Sequence, residues 1–118
     1  MKKLCLLLLS ICLMQISFSQ IVSIDSVAKY EGKTITVCSK VQGIFVSKGE
    51  KKTTFISFGN PYPDNTFTAV IFEADLPNFK YNPSEYLKDK NVCITGLIKI
   101  FNRKPEMILS DEDQLKIK

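Results

Sequence analysis

The sequence predicts an all-β domain, a small closed barrel of five strands, and three observations support this fold class. From Thr34 onward, apolar and polar residues alternate with a period of two, which is typical of half-buried strands. Glycines interrupt the two longest alternating runs, as glycines do where a strand bends sharply or bulges. Helical patterns are short and fall only before the first strand and between the third and fourth. Long strands that bend to serve two sheets suit a small closed barrel.

The first 19 residues are predicted to be a secretory signal peptide. Lys2 and Lys3 precede an apolar run from Leu4 to Met14, and Ser17 and Ser19 place small residues where signal peptidase cleaves. We therefore expect a mature chain that begins at Gln20 and works in the periplasm or outside the cell.

Two alternatives to cleavage at Ser19 stay open. The apolar run is too short to span a bilayer stably, so a retained membrane anchor is the lesser interpretation, and no stable span is expected after processing. Cys12 suggests a lipoprotein, but Ile11 stands where that processing prefers a small residue.

Composition limits the mature chain to one modest domain, residues 20–118. Removing 19 of 118 residues leaves 99, enough for one core and too few for two. Loss of Lys2 and Lys3 lowers the formal net charge from +4 to +2, so a globally basic nucleic-acid binder is not indicated. Any electrostatic attraction must come from local clusters.

The N-terminal part of the domain is predicted to hold a short helix and the first strand. Ser23 or Asp25 can cap a helix of one or two turns, and Gly32 can take the left-handed closing position. The first strand starts at Thr34, and Gly43 marks a bend or bulge within it.

The middle of the chain is predicted to form two strands and a second short helix. The polar run 47–52 turns the chain into a second strand, 53–58, and the proline-rich loop 59–65 leads to a third strand, 66–73. Asn82 followed by Pro83 is typical of a helix start, and we expect a helix over 83–88 with Tyr86 and Leu87 as its buried side.

The C-terminal part is predicted to complete the barrel. A fourth strand covers 91–101, with Gly96 in its middle and with Val92, Ile94, Ile98 and Ile100 facing inward. A turn at 102–105 leads to the last strand, 106–109, and residues 114–118 are expected to form a short extended tail. Five strands with a helix between the third and fourth follow the order of the OB-fold, a Greek-key barrel.

Six segments of the chain carry a resemblance to a known family: Gly32–Val37, Thr54–Gly59, Tyr62–Pro63, Phe67–Phe72, Val92–Gly96 and Lys104–Leu109. With these segments the sequence resembles the exported bacterial OB-fold domains of the nucleic-acid-binding, anticodon-binding-like type. The resemblance covers about residues 24–109. One departure is Ser39, where the pattern usually has the glycine of the first strand, so Gly43 is the alternative site of the bend.

The resemblance implies a binding surface on strands two and three, together with the loops between strands one and two and between strands four and five. Cations that follow a phosphate backbone, interleaved with aromatic rings on which bases stack, suit binding of single-stranded DNA or RNA. The candidate residues are Lys48, Lys51, Lys52, Phe55, Lys99, Phe101, Arg103 and Lys104.

Other interpretations of these residues remain open. Lysines in hairpin turns also serve solubility, and aromatic residues of a small barrel usually belong to the core. Outward-facing Leu97 and Phe101 could instead meet an envelope protein in a protein-interaction or assembly module. Oligosaccharide binding is less favoured because the chain lacks tryptophan. We expect Tyr62 to fold back over the open end of the barrel rather than to serve as a recognition tip.

Catalysis is not expected, and neither a cofactor nor a metal is implied. The sequence has no histidine, which removes the commonest general base and zinc ligand. Glu73 and Asp75 sit at a strand end, where charge is ordinary. The acidic run 111–113 lacks the spacing of a calcium loop, so a solvated turn is the expected structure.

Cys38 and Cys93 are the two cysteines of the mature chain. Each has the parity opposite to the aliphatic residues of its strand, so both are expected to face outward. Because the first and fourth strands are paired in the OB-fold, a cross-strand disulfide is predicted if the register places the two residues opposite each other.

Overall fold

The computed structural model describes residues 20–118; the predicted signal peptide lies outside them. The helices are short: α1 (Pro83–Tyr86) and three 3-10 helices at Ile24–Tyr30, Glu73–Asn78 and Glu112–Gln114. The strands are β1 (Gln20–Val22), β2 (Thr34–Val46), β3 (Thr54–Phe58), β4 (Phe67–Ile71), β5 (Asn91–Phe101), β6 (Lys104–Ile108) and β7 (Leu115–Ile117). In residues 20–118, no helix has the length and apolar character needed to cross a membrane.

Five of the strands close into a barrel in the order β2-β3-β4-β6-β5, and β5 pairs back onto β2. The β4–β6 pair is parallel and the other four barrel pairs are antiparallel. This is the OB-fold, as the sequence predicted. Two short strands extend it: β1 pairs in parallel with β2, and β7 pairs antiparallel with β5, which confirms the extended C-terminal tail.

Strand β2 serves two sheets by bending at a bulge. Its first half, Thr34–Lys40, pairs with β5, and its second half pairs with β3. Val41 lies opposite Phe58 while Gly43 lies opposite Ser57, so Gln42 is an extra residue on the β2 side. The bend is therefore at Gly43, as predicted, whereas Ser39 pairs regularly.

One face of each barrel strand points inward, and the side chains on these faces form the hydrophobic core. Gly96 is part of that face, where a Cβ atom would lie 2.8 Å from Met107 Cγ. A side chain at this position would displace Met107, so glycine allows β5 and β6 to pack closely. The largest fully buried side chains are Phe58, Phe67, Ile35, Ile56, Ile71, Leu87, Ile94, Ile98, Met107 and Leu109.

The two predicted helices form, with differences at their ends. The first is a 3-10 helix in which Ser23 is the N-cap residue but makes no side-chain hydrogen bond, while Gly32 adopts the predicted positive φ of 81°. The second is α1, which starts as predicted: Asn82 Oδ1 accepts a hydrogen bond from the Ser84 N–H at 3.2 Å. It ends at Tyr86, two residues earlier than predicted.

Two side chains predicted to face inward are exposed. Ile100 is 37% exposed because it lies at the end of β5, one residue from the turn to β6, where the barrel interior has closed. Tyr86 is 49% exposed, and Leu87 alone forms the buried contact predicted for the pair. The Tyr86 ring packs instead against the Tyr81 ring, with centroids 4.6 Å apart, and lies under the Lys90 ammonium.

Cys38 and Cys93 form a disulfide, which confirms the sequence prediction. They are direct partners in the antiparallel β2–β5 pair, with Cα atoms 4.0 Å apart. Thr36 and Thr95 lie two residues further along the same face, and their hydroxyl oxygens are 2.7 Å apart. The first half of β2 is thus fixed to β5 by side chains as well as by the backbone.

Candidate functional site

A groove of about 680 Å³ runs across the outer face of the barrel. It crosses β3, β4 and β6 and is closed at its ends by the second half of β2 and the end of β5. A proline-rich loop before β4 contributes the remaining wall. The lining residues are Gly43, Ile44, Phe45, Phe55, Ser57, Tyr62, Asn65, Thr68, Phe101, Asn102, Lys104, Pro105 and Glu106.

Strand register places a row of polar residues along the groove. Ser57 of β3 is opposite Thr68 of β4, Thr68 is opposite Glu106 of β6, and Glu106 is opposite Lys99 of β5. Because the side-chain period of a strand is two, these residues share the outer face. We call Ser57, Thr68, Glu106 and Lys99 the polar row.

Aromatic side chains flank the polar row on both sides. Phe45 and Phe55 are partners across β2 and β3, and their rings stack with centroids 6.3 Å apart. On the other side of the row, Phe101 lies opposite Lys104, and Tyr62 projects from the loop. Phe45, Tyr62 and Phe101 are 59%, 78% and 62% exposed, so their ring faces are open to a ligand.

Glu106 is a half-buried carboxylate within the polar row, between Thr68 and Lys99. Burial raises the pKa of the Glu106 carboxyl, and the positive charge of Lys99 offsets part of that rise. Among residues 20–118 no side-chain or backbone donor is bonded to this carboxylate. The two oxygens of this carboxylate are therefore accessible to a ligand in the groove.

A chain of hydrogen bonds ties the loop to the polar row. The Lys104 ammonium donates to the Pro63 carbonyl and to Asn65 Oδ1, the latter at 3.2 Å. Asn65 is buried, and its amide group donates to Thr68 Oγ1 at 2.6 Å and to the Phe67 carbonyl at 3.2 Å. These contacts hold the loop that carries Tyr62 against the edge of the groove.

The structure brings the predicted site residues to one face, but only three of them line the groove: Phe55, Phe101 and Lys104. Lys99 stands at the end of the polar row. Lys48, Lys51 and Lys52 are exposed in the loop that joins β2 to β3, next to Phe45 and Phe55. Arg103 is exposed in the β5–β6 turn, with φ of 67°. The cations of the β2–β3 loop and of the β5–β6 turn therefore occupy opposite corners of the face.

Sequence reasoning missed Phe45, Ser57, Thr68 and Glu106. Ser57 has the parity of Phe55 in β3 and Glu106 has the parity of Lys104 in β6, so alternation within each strand was the signal that could have found these two. Thr68 has the parity opposite to buried Phe67 and Ala69 in β4. Phe45 follows the bulge at Gly43, which reverses the parity of the strand.

Tyr62 departs from the sequence expectation, whereas the acidic run 111–113 forms the mostly exposed turn that was expected. Tyr62 does not cover the barrel end: it is 78% exposed, because the loop around it is held by Lys104 and Asn65 rather than by burial of its ring.

Asp111 caps the last 3-10 helix, and the Glu112 carboxylate accepts a hydrogen bond from the Lys80 N–H at 2.6 Å. The acidic run thus serves backbone groups.

Comparison with known proteins identifies a fold rather than a family. No protein-family model matches the sequence, and no curated protein matches it. Among solved structures, the crystal structure of yeast Stn1 and Ten1 is similar to this chain, with a TM-score of 0.60 and 14% sequence identity. The match covers 86% of this chain and 64% of that chain. The OBody AM1L10 bound to hen egg-white lysozyme is similar with a TM-score of 0.60 and 11% identity, over 88% of this chain and 98% of that one.

The chain thus spans less than two thirds of the Stn1 and Ten1 chain that it matches. Identities this low carry information about architecture alone. The chain described here is an OB-fold barrel with an aromatic groove on its outer face.

Proposed function

We propose that this protein is an exported, non-enzymatic module that binds single-stranded DNA or RNA in the groove. The observation that carries the proposal is the pair of exposed aromatic flanks, Phe45 with Phe55 on one side of the polar row and Phe101 with Tyr62 on the other. Every base has a π-face, so rings that stand open on a sheet face accept a strand with little dependence on sequence.

The placement of the cations supports the same function. Lys48, Lys51 and Lys52 stand beyond one aromatic flank, and Arg103 stands beyond the other. A strand that crosses the face diagonally would keep its phosphates near both corners while its bases reach the groove. With a mature net charge of only +2, after loss of Lys2 and Lys3 from the total of +4, few phosphates can be neutralised, so binding is expected to be weak.

Two further features support export and a binding role. The Cys38–Cys93 disulfide is a bond that persists in oxidising compartments, which supports a periplasmic or extracellular location. The sequence contains no histidine, which supports binding rather than acid–base catalysis.

Protein binding is the second candidate, and specific observations favour it. Leu97 and Phe101 are apolar residues whose exposed fractions are 43% and 62%. The Glu106 carboxylate lines the groove and repels phosphate. The OBody AM1L10 structure shows an OB-fold barrel bound to a protein, lysozyme. An envelope protein with an apolar, basic segment is the partner that this chemistry fits.

Salt dependence of binding distinguishes the two candidates. We expect a short fluorescein-labelled oligo(dT) or oligo(rU) to bind the purified protein, with a log–log salt slope of about −2 to −3. Phe101→Ala is expected to weaken binding by about 1–3 kcal/mol, whereas Tyr86→Ala, which removes an exposed ring away from the groove, is expected to leave it unchanged. Absence of salt-sensitive anisotropy at about tens of micromolar protein in low salt would favour the protein partner.

A further inference from the structure

We infer that the groove selects guanine among the bases of a bound strand, through hydrogen bonds from Thr68 and Glu106 to its Watson–Crick edge. The inference rests on the proposed function and deepens it by naming the base. It follows from the hydrogen-bonding state of two neighbouring side chains of the polar row.

Thr68 and Glu106 lie side by side in the floor of the groove. They are register partners on the parallel strands β4 and β6, so their backbones are about 4.8 Å apart. Both are half-buried and both line the groove. A planar base held between the aromatic flanks can therefore meet both side chains with one edge.

Thr68 presents a hydrogen-bond donor to the groove. Its Oγ1 accepts from the Asn65 amide at 2.6 Å, which occupies one of its two lone pairs and leaves its own hydrogen free to donate. The orientation of the Asn65 amide is fixed from both ends: its nitrogen also donates to the Phe67 carbonyl, and its oxygen accepts from Lys104.

Glu106 presents two acceptors next to that donor. Its carboxylate receives no donor from residues 20–118, and Lys99 is its opposite neighbour on the side away from Thr68. Thr68 and Glu106 together therefore offer one donor followed by two acceptors.

Guanine is the base whose edge complements this order, because it presents the O6 acceptor followed by the N1–H and N2–H donors. Adenine and cytosine each place a ring-nitrogen acceptor toward the carboxylate, and thymine or uracil offers one N–H between two carbonyls. A carboxylate facing an acceptor is repelled and remains unpaired, which disfavours those bases. Ionised acceptors also form the stronger hydrogen bonds.

The charge distribution fits a base in the groove with its backbone outside. Glu106 repels phosphate from the middle of the face, whereas the cations of the β2–β3 loop and the β5–β6 turn attract phosphate at its corners. A guanine donor pair would bond the Glu106 carboxylate, whose oxygens are accessible from the groove.

The test uses labelled oligo(dT) strands with one central guanosine, inosine, adenosine or cytidine, and matching oligo(rU) strands. We expect the guanosine strand to bind at least about fivefold more tightly than the unsubstituted strand, since a bidentate contact discriminates by that factor or more. Inosine lacks the N2 amino group and is expected to lose most of the gain without any change in the protein. The DNA and RNA series show which strand the groove takes.

Glu106→Gln is expected to abolish the guanosine preference, because an amide offers one acceptor and an amino group. The matched control, Glu85→Gln on the exposed side of α1, is expected to retain it. Equal binding of all strands, or a guanosine preference that survives Glu106→Gln or inosine, would overturn the inference while leaving strand binding in place. Loss of salt-sensitive binding to every strand would overturn the proposed function as well.

Discussion

The rings of Phe45 and Phe55 stack across β2 and β3 with centroids 6.3 Å apart and an interplanar angle of 28°. Phe55 is half-buried and supports Phe45, which is 59% exposed. One flank of the groove is thus a pair of rings. The exposed Phe45 ring is available to a ligand, and the half-buried Phe55 ring packs against it.

Phe45→Ala is expected to weaken binding of a labelled oligonucleotide by about 1–3 kcal/mol, as loss of one stacking ring does. Its large exposure limits the cost to folding, so urea unfolding should shift little. Anisotropy measures the affinity, and Tyr86→Ala serves as the aromatic control outside the groove. An affinity equal to that of the wild type would show that the strand does not cross this flank.

The corner cations are expected to set the salt dependence. Replacing Lys51, Lys52 and Arg103 with alanine should flatten the slope of affinity against salt, because each lost phosphate contact removes about 0.7 from it for a single strand. Lys29, Lys116 and Lys118 are equally exposed and lie away from the groove, so their triple alanine variant is a charge-matched control. A similar slope change in both variants would point to net charge rather than to a site.

The Cys38–Cys93 bond is expected to stabilise the barrel through the denatured state. The two residues are 55 apart in sequence, and a loop of this length corresponds to about 4 kcal/mol in the chain-entropy treatment. Urea unfolding of the Cys38→Ala, Cys93→Ala double variant should show a loss of this order, and wild type with a reductant should behave similarly. Thiol counting on exported protein should find both cysteines oxidised; two free thiols would contradict the bond.

Glu106 is expected to make stability depend on pH in a definite direction. Burial raises its folded-state pKa, so its contribution to stability is complete below the ordinary carboxyl pKa of the unfolded chain and is lost as pH rises through the raised value. Relative to wild type, Glu106→Gln should therefore gain stability between about pH 4 and about pH 7. Urea unfolding at both pH values measures this, with Glu85→Gln as control, and a relative loss toward neutral pH would contradict the assigned burial.

Processing is expected at the Ser19–Gln20 bond, because Ser17 and Ser19 are small. Intact mass of the exported protein should correspond to residues 20–118. A lipid-bearing species that begins at Cys12 would instead establish the lipoprotein alternative.

Alternation predicted the barrel strands because burial of one face imposes a period of two wherever a strand is long enough. The observed ends of β3, β4 and β6 lie within two residues of the predicted ones, and those of β5 coincide with them. Strand β1 was missed because Gln20–Val22 is too short to show a period. The exposure of Ile100 was missed because alternation does not reveal where the barrel interior ends.

The candidate site was only partly predictable for a different reason. Phe55 and Phe101 follow from parity within their own strands. The pairing of Thr68 with Glu106 depends on register between parallel strands that are distant in sequence, and no local pattern encodes such a register. The hydrogen bonds that orient Thr68 through Asn65 come from an irregular loop, where composition predicts turns but not contacts.

The bulge in β2 decides which side chains in the second half of this strand face the groove. Ile35, Val37 and Val41 point inward at even spacing, and continuing that count would send Phe45 into the core and Ile44 to the surface. The extra residue Gln42 reverses the count. A chain without Gln42 would alternate regularly from Val41 and would still send Phe45 outward, but it would lack the bulge that bends β2 from β5 towards β3. The aromatic flank therefore depends on Gln42 staying outside the ladder, because regular pairing of Gln42 would turn Phe45 into the core.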